Sequence, residues 1–378
     1  MASLAHVLRH FWIYHGDSLL NTRYAIFGKC RPHQARQDHP LIATAVTFGH
    51  SRQANVLMKT WRLLPVFLLF LIPPVQAQDA LLGGFAFLRL AFSARVAALG
   101  ETPAAVSDDD VALFLLNPAA LRPEQHRHMQ IAYLNHVADI RAGMAAYAWY
   151  REGLGTFGLA LRFLDWGTID RADLEGNRDG VFRPVDLALT VGLGRTRGNA
   201  LHYGASFHLI HSSLAGRQAT ALALDAGLRY ELPDQLLTLS GSLNYLGITL
   251  QTLGTTPDRL PFDVRLSLRK RLRYLPLQLT LTFYDLPNLG RWPANQTWLG
   301  RLFYYLNFGA EIGASRSFQL RFGYSYRRHE MLKIRPRLDL AGFNAGFGLR
   351  LVGLHFDYAF SSWSSLGLLH YLTVQTRL

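Results

Sequence analysis

From His128 to the end of the chain, apolar and polar residues alternate with a period of two, the spacing that sends successive side chains to opposite faces of a strand. In 262–274, Phe262, Val264, Leu266, Leu268, Leu272 and Tyr274 make one face, and Asp263, Arg265, Ser267, Arg269, Arg271 and Arg273 the other. In 318–327, Phe318, Leu320, Phe322, Tyr324 and Tyr326 oppose Gln319, Arg321, Gly323, Ser325 and Arg327. The segments 218–231 and 341–351 repeat the pattern. The alternation predicts about fourteen strands, at roughly 128–137, 141–151, 154–165, 183–195, 200–212, 218–231, 236–247, 262–273, 276–286, 302–314, 318–327, 341–351, 354–361 and 367–378.

Most of these runs are near the ~9–11 residues that a tilted strand needs to cross a bilayer. The connections separate a membrane barrel from a soluble sandwich. Turns at 152–153, 196–199, 232–235, 274–275, 315–317 and 352–353 are short, whereas 166–182, 248–261, 287–301 and 328–340 are long. Short periplasmic turns alternating with longer external loops are expected of an outer-membrane barrel. The expected fold is therefore all-β: a transmembrane outer-membrane β-barrel of about 14 antiparallel strands over 128–378. Closure removes the sheet edge that lipid could not satisfy. Aromatics near strand ends (Tyr150, Trp166, Tyr230, Tyr245, Tyr274, Trp363, Tyr371) are expected in interfacial girdles.

On this topology the polar phase points into the lumen, with Asp225, Arg229, Arg265, Arg269, Glu311, Arg321, Arg350 and Asp357 as its charges. Pairing among themselves and with a plug is expected ahead of a solute pathway. The candidate for that plug is 78–127, which lacks strand alternation. Phe92 to Leu99 can form a short helix closed by Gly100. One of Asp108, Asp109 and Asp110 can cap a second, running through Leu116 and ended at Pro118. The acidic triplet lacks the ligand spacing of a calcium loop, so it is read as a cap and turn. No metal or cofactor site is expected.

Residues 58–77, MKTWRLLPVFLLFLIPPVQA, combine a short basic start, an apolar stretch too short to span a bilayer and a small-residue end. That is the pattern of a cleaved signal peptide, and it implies export to the bacterial outer membrane. Because such peptides start at the initiator methionine, Met58 is the expected start and 1–57 an over-extended N-terminus outside the fold.

Composition agrees once this leader is set aside. The 378 residues are 49% hydrophobic and only 17% charged, below the ~25% of soluble domains. The net charge of +13 falls to +7 over 78–378, which removes the ground for a nucleic-acid partner. The single cysteine, Cys30, leaves with the leader, so no disulfide framework is expected. No G-x-S-x-G, H-E-x-x-H or C-x-x-C occurs, and His208 and His211 should face opposite sides of a strand. An enzyme is not expected.

One stretch resembles a known group. FLRLAFSARVAALGE, followed by SDDD and LNPAAL, resembles the N-terminal signature of the PorV/PorQ outer-membrane proteins of the type IX secretion system. These in turn resemble the long-chain fatty-acid transporters, fourteen-stranded barrels whose N-terminal plug bears an Asn-Pro-Ala motif. Asn117, Pro118 and Ala119 match that motif, and Ser93, Arg95 and Gly100 fall in the matching segment before it. Length and the segment 260–286 look more like PorQ, although Glu101 stands where a second glycine is often found. The resemblance implies a non-enzymatic anchor. It would hold a PorZ-like surface protein and other attachment-complex components, so that secreted cargo is processed and joined to lipopolysaccharide. The long loops, with Trp292 and Trp298 at one tip, would be the docking surface. The competing expectations are a fatty-acid-transporter-like channel with an apolar pocket between plug and wall, and a PorV-like cargo shuttle.

Overall fold

The structure is a computed structural model that describes residues 85–378, except 107, 137–138, 173–177, 255–257, 293–296, 314, 316 and 334–338. The expected signal peptide and the residues before it lie outside the described residues.

Fourteen strands close into one antiparallel barrel. They are β1 (His128–Asn135), β2 (Arg141–Arg151), β3 (Gly155–Asp165), β6 (Val185–Arg197), β7 (Leu201–Leu214), β8 (Arg217–Leu232), β9 (Leu237–Gln251), β10 (Asp263–Arg271), β11 (Leu277–Phe283), β12 (Leu306–Gly313), β13 (Phe318–Ser325), β14 (Phe343–Leu351), β15 (Leu354–Ser362) and β16 (Leu368–Arg377). The remaining two, β4 (Ile169–Ala172) and β5 (Arg178–Phe182), form a separate hairpin within the loop after β3. Closure comes from β1 pairing with β16, His128 against Arg377 and Asn135 against His370. Every expected strand has its counterpart within a few residues.

The alternation explains the wall. On β3, Leu159, Leu161 and Phe163 are exposed on the outer surface, while Ala160, Arg162 and Leu164 are buried inside. The same outward row continues through Leu187, Leu189 and Val191 on β6, Phe207 and Leu209 on β7, and Leu372 and Val374 on β16. In water these side chains would be a liability. Against lipid they form the apolar belt of an outer-membrane barrel.

Three expectations change. The strand expected at 302–314 starts only at Leu306, because α2 (Trp298–Phe303) precedes it; the Thr297 hydroxyl caps that helix by accepting from the Gly300 N–H at 3.1 Å. The strand expected at 318–327 ends at Ser325, which caps α3 (Tyr326–Leu332). Tyr245 and Tyr371 are also not girdle residues, since both are buried inside the barrel. For Tyr245 the cause is a β-bulge. The β8–β9 register shifts between Leu224 and Ala226, so that Asp225 faces both Asn244 and Tyr245, and Tyr245 takes φ +58°. The bulge turns inward a ring that strict alternation would have sent to the lipid. Tyr150, Trp166 and Tyr274 are exposed, as a girdle requires.

Residues 85–127 are threaded inside the barrel as short turns rather than strands. The one α-helical piece among the described residues is α1 (Ala94–Ala98); 3₁₀ turns cover Ala86–Arg89, Val111–Leu115, Pro118–Ala120 and Pro123–Gln125. Phe85, Phe87, Phe92, Val96, Leu99, Leu113 and Phe114 form the apolar core between this segment and the wall.

Candidate functional site

The site is the lumen, where the plug meets the wall on two sides. On one side α1 lies against β13–β16. Ser93 leads into α1, and the Ala94 N–H donates to the Thr373 hydroxyl at 2.9 Å. Arg95 then faces the wall and donates twice to the Glu311 carboxylate, at 3.0 Å each, and also binds Asp108 within the plug. Glu311 accepts from Arg321 Nε at 2.8 Å, and Arg321 continues to Asp357. Arg269 adds a longer contact to Glu311, 3.5 Å. Arg95, Glu311, Arg321 and Asp357 are all buried. A charge placed there is tolerated only when paired, so the alternation of signs is a physical requirement.

The acidic triplet is consumed by this arrangement. Asp108 binds Arg95, and Asp109 faces Arg350 at 3.9 Å. Asp110 Oδ2 accepts from the Ser93 hydroxyl at 3.2 Å, while its Oδ1 accepts from the Ala112 N–H at 3.0 Å and so caps the Val111–Leu115 turn. Burial opposes ionisation of Asp108, but Arg95 and Arg269 outweigh it and hold that carboxyl well below the usual range. Asp110 goes the other way: burial pushes it up to about 6, Arg95 opposes, and the Asp357 and Asp108 carboxylates add to the rise.

On the opposite side the Asn-Pro-Ala turn lies against β6–β8, and there the fit is steric. The Asn117 carboxamide accepts from the Ala119 N–H at 3.0 Å and donates to the Ala104 carbonyl at 3.3 Å. It lies so close to Gly227 that a Cβ there would fall 2.0 Å from its oxygen. A Cβ at Gly204 would fall 2.6 Å from the Pro118 carbonyl carbon and oxygen. Backbone packs directly on backbone, which only glycine permits. The Gly100 carbonyl is fixed by Asn307, which donates to it at 2.7 Å.

Each residue singled out in the sequence has a place in this picture. Arg95, Gly100, Asn117, Pro118 and Ala119 lie at plug–wall contacts, while Ser93 bonds Asp110 within the plug. Asp225 accepts from the Tyr245 N–H at 2.6 Å and lies 2.8 Å from His208 Nε2. Arg229 binds Glu231, which Arg122 of the plug also approaches at 3.4 Å, and Arg265 binds Asp263 at 2.5 Å. Arg350 is a correction. It shares the lumenal phase but sits one residue from the strand end at Leu351, so its side chain is about half exposed at the rim. The departure at Glu101 also has a reason. Its φ of +72° is the left-handed conformation that glycine takes most easily, and its carboxylate binds Arg328 of α3, tying the plug to an outer loop. Of the two tryptophans, Trp298 is 73% exposed, whereas Trp292 is half-buried, 5.0 Å from the Arg301 guanidinium.

Reading by sequence missed Arg162, His208, Asp263 and Tyr245. Arg162 did leave a signal, as a lone charge in phase with the lumenal Gly158 and Ala160. Between plug and wall lies a cavity of about 30 Å³ lined by Leu88, Phe92, Val96, Leu115, Met144 and Arg162, among others. It occupies the place where a pocket was expected, but a cavity that takes benzene is ~150 Å³.

No family model and no curated protein matches the chain. Solved structures do. The Ralstonia pickettii toluene transporter TbuX superposes with a TM-score of 0.51 at 14% identity, over 77% of this chain and 100% of that one. The chain has the fold of the monoaromatic hydrocarbon channels. A deletion mutant of the channel TodX gives 0.50 at 12% identity, over 76% and 99%, and the channel CymD gives 0.50 at 10%, over 77% and 98%. At such identities the agreement concerns the fold alone.

Proposed function

We propose that this barrel is an outer-membrane anchor that stays shut and presents its outer loops to a surface partner. The observation that carries this reading is the way the plug is fixed within the lumen. A plug threaded through the barrel is locked by the buried Arg95–Glu311–Arg321–Asp357 network, and the cavity beside Arg162 holds only about 30 Å³. The finer assignment is a component of the type IX secretion attachment complex that holds a PorZ-like protein near lipopolysaccharide. It rests on the resemblance of the plug motif, and the fold comparisons add nothing to it. The exposed Trp298, at the start of α2, is the proposed contact. Export with cleavage after Ala77 is part of the same proposal and predicts Gln78 as the first residue of the protein in the membrane. The test is affinity purification from outer membranes, followed by deletion of the 287–301 loop tip. Co-purification of a surface protein that the deletion releases supports the anchor; retention unchanged by deleting each outer loop refutes docking there.

A second reading, a channel for hydrophobic solutes, has the fold comparisons on its side, since TbuX is a toluene transporter and TodX and CymD are monoaromatic hydrocarbon channels. A monoaromatic ring does not fit the cavity beside Arg162, so passage by that route requires the plug to shift. Saturable uptake of toluene by liposomes carrying the wild-type protein would establish it over the anchor. Co-purification of a secreted cargo's sorting domain would instead favour a shuttle.

A further inference from the structure

Arg162 on β3 is 2% exposed and is not explained by the plug network. Its Nη1 donates to the Tyr245 hydroxyl at 3.1 Å, and that hydroxyl in turn donates to the Leu88 carbonyl at 3.1 Å. Its Nε and Nη2 have no hydrogen-bond partner among the described residues, and no described carboxylate lies within ion-pairing distance of it. The rings of Phe92 and Tyr245, 5.6 and 6.0 Å from the guanidinium carbon, offer only the weak attraction of their π faces. A guanidinium is always charged, and an unpaired buried charge is strongly unfavourable.

The surroundings do not supply the missing anion. Two further arginines border the same cavity, and each has its own carboxylate: Arg265 binds Asp263 at 2.5 Å, and Arg89 lies 4.0 Å from Asp285. Glu101, also on the lining, binds Arg328. Arg162 therefore has no carboxylate of its own among the described residues, the nearby Asp225 being engaged by the Tyr245 N–H and His208, and it keeps two free N–H-bearing nitrogens beside a space of about 30 Å³.

We infer that this cavity is a binding site for a small monovalent anion of chloride size. The volume is above the ~10–15 Å³ needed to seat one water-sized particle and far below what an aromatic or acyl ligand needs. Water would satisfy the donors but leave the charge. A halide satisfies both and closes the gap between Phe92 of the plug, β3 and the bulge at Tyr245. The anion thus fastens the plug near the outer end of β3, remote from the carboxylate latch around Glu311.

The test uses the full chain in detergent, following the unfolding midpoint at constant ionic strength as sodium gluconate is replaced by sodium chloride. Gluconate is too large for the cavity. A saturable upward shift is expected in the wild type and none in Arg162→Leu; an equal shift in both overturns the proposal. Should the variant not assemble, crystals of the wild type soaked in bromide decide the matter. An anomalous peak within hydrogen-bond distance of Arg162 Nε or Nη2 is expected, and its absence overturns the site.

Discussion

The two walls that hold the plug solve one problem by different physics. Against β12–β16 the contact carries charge on top of close packing: Arg95 reaches Glu311 on β12, Glu311 is shared with Arg321, and Gly309, Gly323 and Gly346 lie directly on Ala98–Gly100. Against β6–β8 the contact is steric, as the Asn117–Ala119 turn presses on Gly204 and Gly227. The first wall adds charges that must all be present to the missing side chains that both walls share, whereas the contact at Gly204 and Gly227 rests on missing side chains. One is therefore broken by deleting a charge and the other by adding a methyl group. The largest effect is expected on the charged side. Glu311→Gln leaves Arg95, Arg321 and Arg269 around a neutral group, and breaking a buried pair costs about 3–5 kcal/mol. The plug should detach there first, seen as protease cleavage within 85–127 and as ion conductance in planar bilayers. Conductance equal to wild type would mean that the latch does not hold the plug.

The steric wall should respond next. Gly227→Ala places a Cβ 2.0 Å from the Asn117 oxygen and 3.0 Å from the Ala119 nitrogen. Overpacking of this kind costs about 1–3 kcal/mol, and the Asn117 carboxamide, held by the Ala119 N–H and the Ala104 carbonyl, can move aside only by giving up those bonds. The expected result is plug cleavage intermediate between wild type and Glu311→Gln, with no change on raising salt. Gly153→Ala, where a Cβ meets nothing within 4 Å, is the control for the general cost of losing a glycine, although its φ of +77° adds local strain.

A pH series probes the charged side further, because the plug carboxylates Asp108 and Asp110 belong to its network. Asp110 sits near 6 in the folded protein, above its ordinary value of ~3.9, so folding favours its protonated form. Plug stability should rise as pH falls from about 7 to about 4, by on the order of 2 kcal/mol. Asp108 is lowered, so its contribution is intact above its ordinary value and is lost only as pH falls further through its folded one. Asp110→Asn keeps the oxygen that caps Ala112 and should flatten the rise between pH 7 and 5. A protease-protection profile as steep in this variant as in the wild type would assign the titration elsewhere.

The walls differ in how far a sequence discloses them. The strands were legible because lipid demands a continuous apolar row, and that demand is local. The capped turn at Asp110 and the stop at Gly100 were legible for the same reason, each being settled within four residues. Contacts between plug and wall are not local. Arg95 and Glu311 are 216 positions apart, so their pairing has no sequence periodicity to show it. The glycines facing Asn117 and Pro118 read only as small residues in a strand. Tyr245 illustrates the limit best. A residue at φ +58° makes the β8–β9 bulge, and nothing in the alternation marks where the chain will break its own period.

The smallest expected effect tests where the charged wall ends. Arg350 shares the lumenal phase of Arg321, yet its partner Asp109 lies 3.9 Å away and both side chains are roughly half exposed, at 47% and 46%. A pair so wet is worth about 0–1 kcal/mol, and salt screens it. Arg350→Gln should therefore leave plug protection within about 1 kcal/mol of wild type, the difference vanishing at high salt. Arg321, 29 positions earlier and with its side chain fully buried, should respond severalfold more strongly to the same change and almost independently of salt. Equal responses at the two positions would mean that the barrel mouth is as dry as its middle, and the division between a buried latch and a solvated rim would fail.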